Sequence, residues 1–199
     1  TQNATGGQQV DPRTGEILDA DILIEANMVR RFKRDWRTIA TPATAVQEVL
    51  HASEEELASL AMGGEAASLG AALAAQGGLL RAFLASSGEL EPGEPVPVDY
   101  LGQAIKWVTM HEVGHTLGLR HNFRSSIDTP LEKLHDREWA EARGVFGSVM
   151  DYPTVNLSPD GRHGYFYNPG VGSYDRWAIA YGYTASADRA AELARLAAQ

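Results

Sequence analysis

Five residues within one short stretch, His111, Glu112, His115, Gly118 and His121, have the types and spacing of a metal centre. On a helix, side chains four apart lie about 40° from one another around the axis and about 6 Å along it, so His111 and His115 share a face and can pinch one ion. Glu112 is turned by about 100° from His111, beside the ion rather than on it, where a carboxylate can act as general base on a metal-bound water. Two imidazoles do not complete a tetrahedron. Gly118 can take a positive φ, end the helix and turn the chain back, which aims His121 at the ion as a third ligand. Three neutral imidazoles leave a fourth position for water, the arrangement of catalytic rather than structural zinc. Other divalent ions fit such a donor set in the usual affinity order, so the metal's identity is an inference.

The elements that must position these residues can be read on either side of them. Leu101, Ala104, Ile105 and Val108 recur at helical spacing ahead of His111 and predict a buried stripe, with Asp99 as the N-cap. The Pro-rich run from Glu91 to Pro97 predicts an extended lead-in, because a proline keeps the residue before it out of the α region. At the start, residues 1–9 are small and polar and read as a flexible arm, followed by a turn signal from Asp11 to Gly15. From Glu16 to Met28 an apolar set, Leu18, Ala20, Ile22, Ile24 and Ala26, alternates with a mostly polar one that includes Asp19, Asp21 and Glu25. That pattern predicts a strand with one buried face.

Val29 to Ile39 reads as helical or irregular, and its basic run around Arg30 to Arg37 as a solvated helix face. Thr41-Pro42 opens a helix that carries Val46, Val49, Leu50, Leu57 and Leu60 and breaks at Gly63-Gly64. Leu69, Leu73, Leu80, Phe83 and Leu84 predict a further amphipathic helix, interrupted or kinked at Gly77-Gly78. The Ala-rich segment 43–87 carries no identifiable chemistry and reads as packing, with a lid as the alternative. After His121, Asp128-Thr129-Pro130 predicts the start of a polar helix that runs to about Arg143 and closes at Gly144. His51, His135 and His163 stand alone and read as surface residues. Residues 158–164 read as loop, Tyr165 to Tyr167 as a short strand or a cleft wall, Tyr174 to Tyr183 as a C-terminal helix, and Ala190 to Gln199 as further helix.

With 199 residues the chain is long enough for one domain with a real core. Its formal net charge of −9 argues against a phosphate-binding surface, so nucleic acid is not an expected partner. Without cysteine there are neither disulfides nor Cys-based zinc fingers, and no apolar run is long enough to span a membrane. The chain begins without Met and reads as part of a longer protein.

The run from His111 to His121 resembles the H-E-x-x-H-x-x-G-x-x-H signature of the metzincin peptidases. Ser148-Val149-Met150-Asp151-Tyr152, which places Met150 29 residues after His121, resembles the Met-turn of that family, in which a methionine forms an apolar floor beneath the three histidines. Its Ser-x-Met-x-Tyr form is most similar to the astacin and serralysin groups. In those groups the tyrosine can ligate zinc or hydrogen-bond the oxyanion, a role that falls here on Tyr152, with a core or cleft-wall tyrosine as the alternative. With Ser173-Tyr174-Asp175-Arg176-Trp177 added, the chain looks like a group of large bacterial zinc-dependent metalloproteases containing a "Met-zincin" domain.

That resemblance implies an α+β, helix-rich, zincin-like catalytic domain with an active-site helix, a small sheet and a Met-turn. It also implies one catalytic zinc, a peptide or protein substrate, and a place outside the bacterial cytoplasm. The expected organisation is an arm over residues 1–9 and one domain, or a fragment of one, over 10–199. Its upper part is 10–118 and its lower part 119–199. In metzincins an edge strand beside the cleft pairs with the substrate backbone, and the strand over Glu16 to Met28 is the candidate here, with an ordinary strand that has no substrate role as the alternative. The chain departs from the family in one respect. Only that strand, or a hairpin with Val10 to Arg13, is readable before residue 98, so the remaining strands of the upper sheet are expected upstream of Thr1. The alternative reading is a catalytically silent zinc-containing binding or scaffold module. Glu112 speaks against it, since a structural site needs no base.

Overall fold

The alternating segment after Asp11 pairs with the segment before it. In the computed structural model, which describes residues 4–24, 26, 29, 30, 33, 36, 67–91, 93–158 and 164–198, strands β1 (Ala4–Val10) and β2 (Ile17–Ile24) form an antiparallel hairpin. Its turn is closed by the Asp11 N–H donating to the Glu16 carbonyl at 2.9 Å. Gly15 there has φ +75°, which few other residues adopt. Two expectations are corrected. The arm read over residues 1–9 is strand from Ala4 onward, and β2 does not bury a face. Leu18 and Leu23 are 64% and 61% exposed, and of the strand's apolar side chains Ile24 is packed against the core. Residues 18–23 of β2 are all exposed, so alternation marked side chains able to be buried without a neighbour that buries them.

Helix α1 (Ala67–Ser87) runs through Gly77 and Gly78 without the expected interruption, and both glycines are buried. Tertiary packing outweighs the weak intrinsic preference of glycine against helix. Leu80 and Leu84 of α1 join Trp36, Val96, Tyr100, Ala104, Trp107 and Val108 in the main core. Trp36 donates its indole N–H to the Glu94 carbonyl at 3.0 Å, which ties the lead-in to that core. Arg30 and Lys33 are exposed helical positions, as expected of a solvated face. The expectations for residues 37–66 and 159–163, with His51 and His163, lie outside the described residues.

Helix α2 (Val98–Thr116) carries the site. Its N-cap is Pro97 rather than Asp99, which falls in the first turn. Pro97 has the fixed φ of its ring and an extended ψ of 130°, so the turn into helix begins one residue beyond it, and Asp99 faces the positive end of the helix dipole instead. The buried stripe is Tyr100, Ala104, Trp107, Val108 and His111, with Leu101 and Ile105 half-buried on its flanks. The two large aromatics take the centre because Tyr167 stacks flat on Trp107 (centroids 5.3 Å, 10°) and the Tyr100 hydroxyl meets the Tyr167 hydroxyl at 3.3 Å.

The chain after His121 contains two short 3₁₀ turns, Phe123–Ile127 and Leu131–Lys133, before helix α3 (Arg137–Arg143). The expected helix start near Asp128 is therefore corrected to Asp136, whose carboxylate accepts the Trp139 N–H at 3.0 Å. The helix end at Gly144 holds, with φ +90°. His135 is half-buried against Gly164 rather than a surface helix residue. Tyr165 to Tyr167 form no strand; the Phe166 N–H donates at 2.8 Å to the Gln103 side chain of α2. Helices α4 (Ser173–Tyr183) and α5 (Arg189–Ala197) follow as expected, joined by the Trp177 indole N–H donating to the Leu196 carbonyl at 2.7 Å. Among the described residues no helix is long and apolar enough to cross a membrane.

Candidate metal centre

Three elements bring the histidines together. The last turn of α2 presents His111 and His115 on one face. Leu117 and Gly118 then end the helix: the Gly118 N–H donates to the His115 carbonyl at 2.9 Å, and the Leu119 N–H to the Gly114 carbonyl at 3.0 Å. This pair of bonds closes a Schellman motif, and its left-handed residue is Gly118 at φ +81°, as the sequence predicted. The chain returns through Arg120, and His121 arrives with its Nε2 3.1 Å from that of His115, which is itself 3.2 Å from that of His111.

The donor chemistry fits a cation. His111 Nδ1 donates to the Val149 carbonyl at 2.8 Å and His115 Nδ1 to the Leu119 carbonyl at 3.0 Å. A carbonyl can only accept, so each Nδ1 carries the hydrogen and each Nε2 presents a bare lone pair. Two bare lone pairs held at that distance repel unless a cation lies between them. Nitrogens at about 2.0–2.1 Å around a tetrahedral zinc would stand about 3.3 Å apart, close to the spacing found. Backbone carbonyls behind ligating imidazoles are also the usual means of fixing tautomer and ring orientation. Among the described residues, His111, His115 and His121 are the group of side chains able to hold a metal ion.

Burial pushes the His111 imidazole down to about 4 from 6.5; the Val149 carbonyl opposes this, and the neighbouring His115 and His121 add to it. It is therefore neutral at neutral pH and free to ligate. The unfolded chain takes up this proton near pH 6.5 and the folded chain only near 4, so the histidine's contribution is present above 6.5 and is lost as pH falls towards 4. The metal-free protein should lose up to about 3 kcal/mol of stability across that window. Urea midpoints measured from pH 7 to 4 check this, and a slope unchanged in His111→Asn would contradict it.

Glu112 lies beside the triad and is 4% exposed. Burial pushes its carboxyl up from the ordinary range, while the charge of His115 and a hydrogen bond from the Gly6 N–H pull it down. A raised carboxyl is a better proton acceptor. The Tyr152 hydroxyl stands 3.0 Å from His121 Nε2, and its ring packs on those of His111 and His121 (centroids 5.2 and 4.7 Å). Tyr152 thus borders the histidines and also packs against the main core. Met150 is 1% exposed and touches Gly114, where a Cβ would collide with its sulfur, so the residue before His115 must be small.

Sequence reasoning missed the residues that hold the turn Ser148 to Tyr152 in place. Asp175 of α4 is 2% exposed and accepts from Ser148 Oγ at 2.5 Å and from the N–H groups of Val149 and Gly172 at 2.8 Å each. Asp151 accepts from Ser125 Oγ at 2.8 Å and also from Ser126 Oγ. The Asn122 N–H donates to the Met150 carbonyl at 3.0 Å, so the residue after His121 is pinned to the same turn. Gln76 of α1 donates to the Pro153 carbonyl at 3.0 Å and accepts from the Tyr167 hydroxyl at 2.7 Å, which gives the described part of the Ala-rich segment a packing role. A buried polar side chain far away in sequence leaves no periodic signal. Asp175 could have been suspected only from its place in the resemblance to the metzincin C-terminal helix.

A family model described as Met-zincin matches residues 93–199, which include the whole centre, the turn and the last two helices. No curated protein and no solved structure matches the chain.

Proposed function

The chain belongs to the Met-zincin family, and from that premise we propose that it hydrolyses peptide bonds with one bound zinc. The observation that carries this reading is the convergence of three imidazole nitrogens, two of them fixed as bare acceptors, with a buried carboxylate alongside. His111, His115 and His121 would hold the ion. Zinc, when bound, supplies Lewis acidity that lowers the pKa of a water toward about 7 and polarises the substrate carbonyl.

The protein's own groups do the remainder. Glu112 takes a proton from the attacking water, holds it on a carboxylate oxygen and returns it to the leaving amine nitrogen. Tyr152 offers its hydroxyl hydrogen to the carbonyl oxygen as that oxygen gains charge. Val149 and Leu119 hold the imidazoles in the ligating tautomer, and Met150 with Gly114 forms the apolar side of the centre. A silent structural zinc module would have no use for a buried carboxyl with raised proton affinity beside its ligands, which favours the catalytic reading. The place of work is proposed to be outside the bacterial cytoplasm, as in the metalloproteases that the chain resembles.

The test is a comparison of the zinc-loaded chain with His121→Ala on an unfolded protein substrate, with bound zinc quantified in both. The reading expects the variant to lose zinc and cleavage together. Equal cleavage by both would overturn it.

A further inference from the structure

Gly6 and Gly7 are neighbours in β1, and they face different surroundings. A Cβ built on Gly6 would collide with the Glu112 carbonyl oxygen and lie 3.2 Å from Thr116 Cγ2, whereas one on Gly7 would meet nothing within 4 Å. Gly6 also donates its N–H to the Glu112 carboxylate. One residue therefore touches Glu112 twice, with its bare Cα against the helix backbone and its N–H on the side chain. The register pairs Gly6 with Ile22 of β2, so the hairpin carries this contact as one unit.

A general base must keep a lone pair aimed at the proton it removes, within hydrogen-bond reach. The helix fixes the Cα of Glu112 but leaves its side-chain torsions to be set by contacts. His111 and His115 are oriented by backbone carbonyls, and a carboxylate needs the opposite partner, an N–H. We propose that β1 is seated on α2 in order to orient Glu112, with Gly6 as the positioning residue. Glycine is required there because any side chain would lift the strand and withdraw the donor. The sequence reading of this region as an arm before a substrate-pairing strand gave it no such role. The catalytic consequence rests on the peptidase reading, while the contact itself does not, and the experiment separates the two.

Amide hydrogen exchange is measured by NMR on the zinc-loaded chain and on Glu112→Ala. The Gly6 amide is expected to exchange about tenfold faster or more in the variant, alone or together with the rest of the hairpin. An unchanged Gly6 rate overturns the contact, whether or not the protein cleaves peptides. Steady-state hydrolysis by Gly6→Ala and Gly7→Ala then tests the positioning role. Gly6→Ala is expected to lower kcat about tenfold or more with KM and zinc content held, and Gly7→Ala to match the wild type. Equal kcat for both variants and the wild type would overturn the role. A wild type without activity would remove the peptidase reading and leave the exchange result to decide the contact.

Discussion

Replacing Glu112 by glutamine is expected to lower peptide hydrolysis by about 10²–10⁴-fold while leaving one zinc per chain. Glutamine has the same shape and retains an oxygen able to accept the Gly6 N–H, so β1 should stay seated and the centre intact. It has no basic oxygen for the proton of the attacking water. Glu112 is not in the group of donor atoms that converge as a metal site, His111, His115 and His121, so the metal should stay. Initial rates, with bound zinc measured on the same samples, check both halves. A variant that has lost its zinc would show that Glu112 is a ligand, and one that keeps its rate would show that the proton goes elsewhere.

Asp175→Ala is expected to produce the largest loss of stability of any single change outside the hydrophobic core. Its carboxylate is buried and receives three donors, the Ser148 hydroxyl and the N–H groups of Val149 and Gly172. Removing the acceptor strands all three, and a buried donor left unpaired costs about 1–3 kcal/mol, so a loss of at least about 3 kcal/mol is expected. The effect should reach the metal, because the carbonyl of the same Val149 orients His111. Loss of such an outer contact typically weakens metal affinity about 10–100-fold. Urea unfolding of the metal-free protein and zinc competition with a chelator measure the two effects separately. Asp175→Asn, which keeps one oxygen, should fall between. Unchanged stability and zinc affinity in Asp175→Ala would show that the turn from Ser148 to Tyr152 is held by other contacts.

The centre was legible in the sequence because its geometry is local. His111, Glu112, His115, Gly118 and His121 are set by the helical repeat and by the one residue type that readily takes φ +81°. Tyr152 was placed by resemblance, and its hydroxyl beside His121 accords with that. What escaped were properties that depend on contacts between distant segments. Alternation in β2 could not reveal that residues 18–23 stay exposed, and Gly77-Gly78 could not reveal that α1 runs on through a buried site. The small polar residues Thr5, Gly6 and Gly7 looked like a loose arm because a glycine that permits close approach and a glycine that permits flexibility are the same letter. Asp151 and Asp175 had no role assigned from the sequence, because donors that they accept from stand on other segments.

Digestion of a diverse peptide library by the zinc-loaded chain, followed by mass spectrometry, tests the central claim most directly. New peptide termini should accumulate, stop when a chelator removes the metal, and resume when zinc is restored. A chain that binds one zinc at His111, His115 and His121 and yields no new termini under any of these conditions would contradict the peptidase reading.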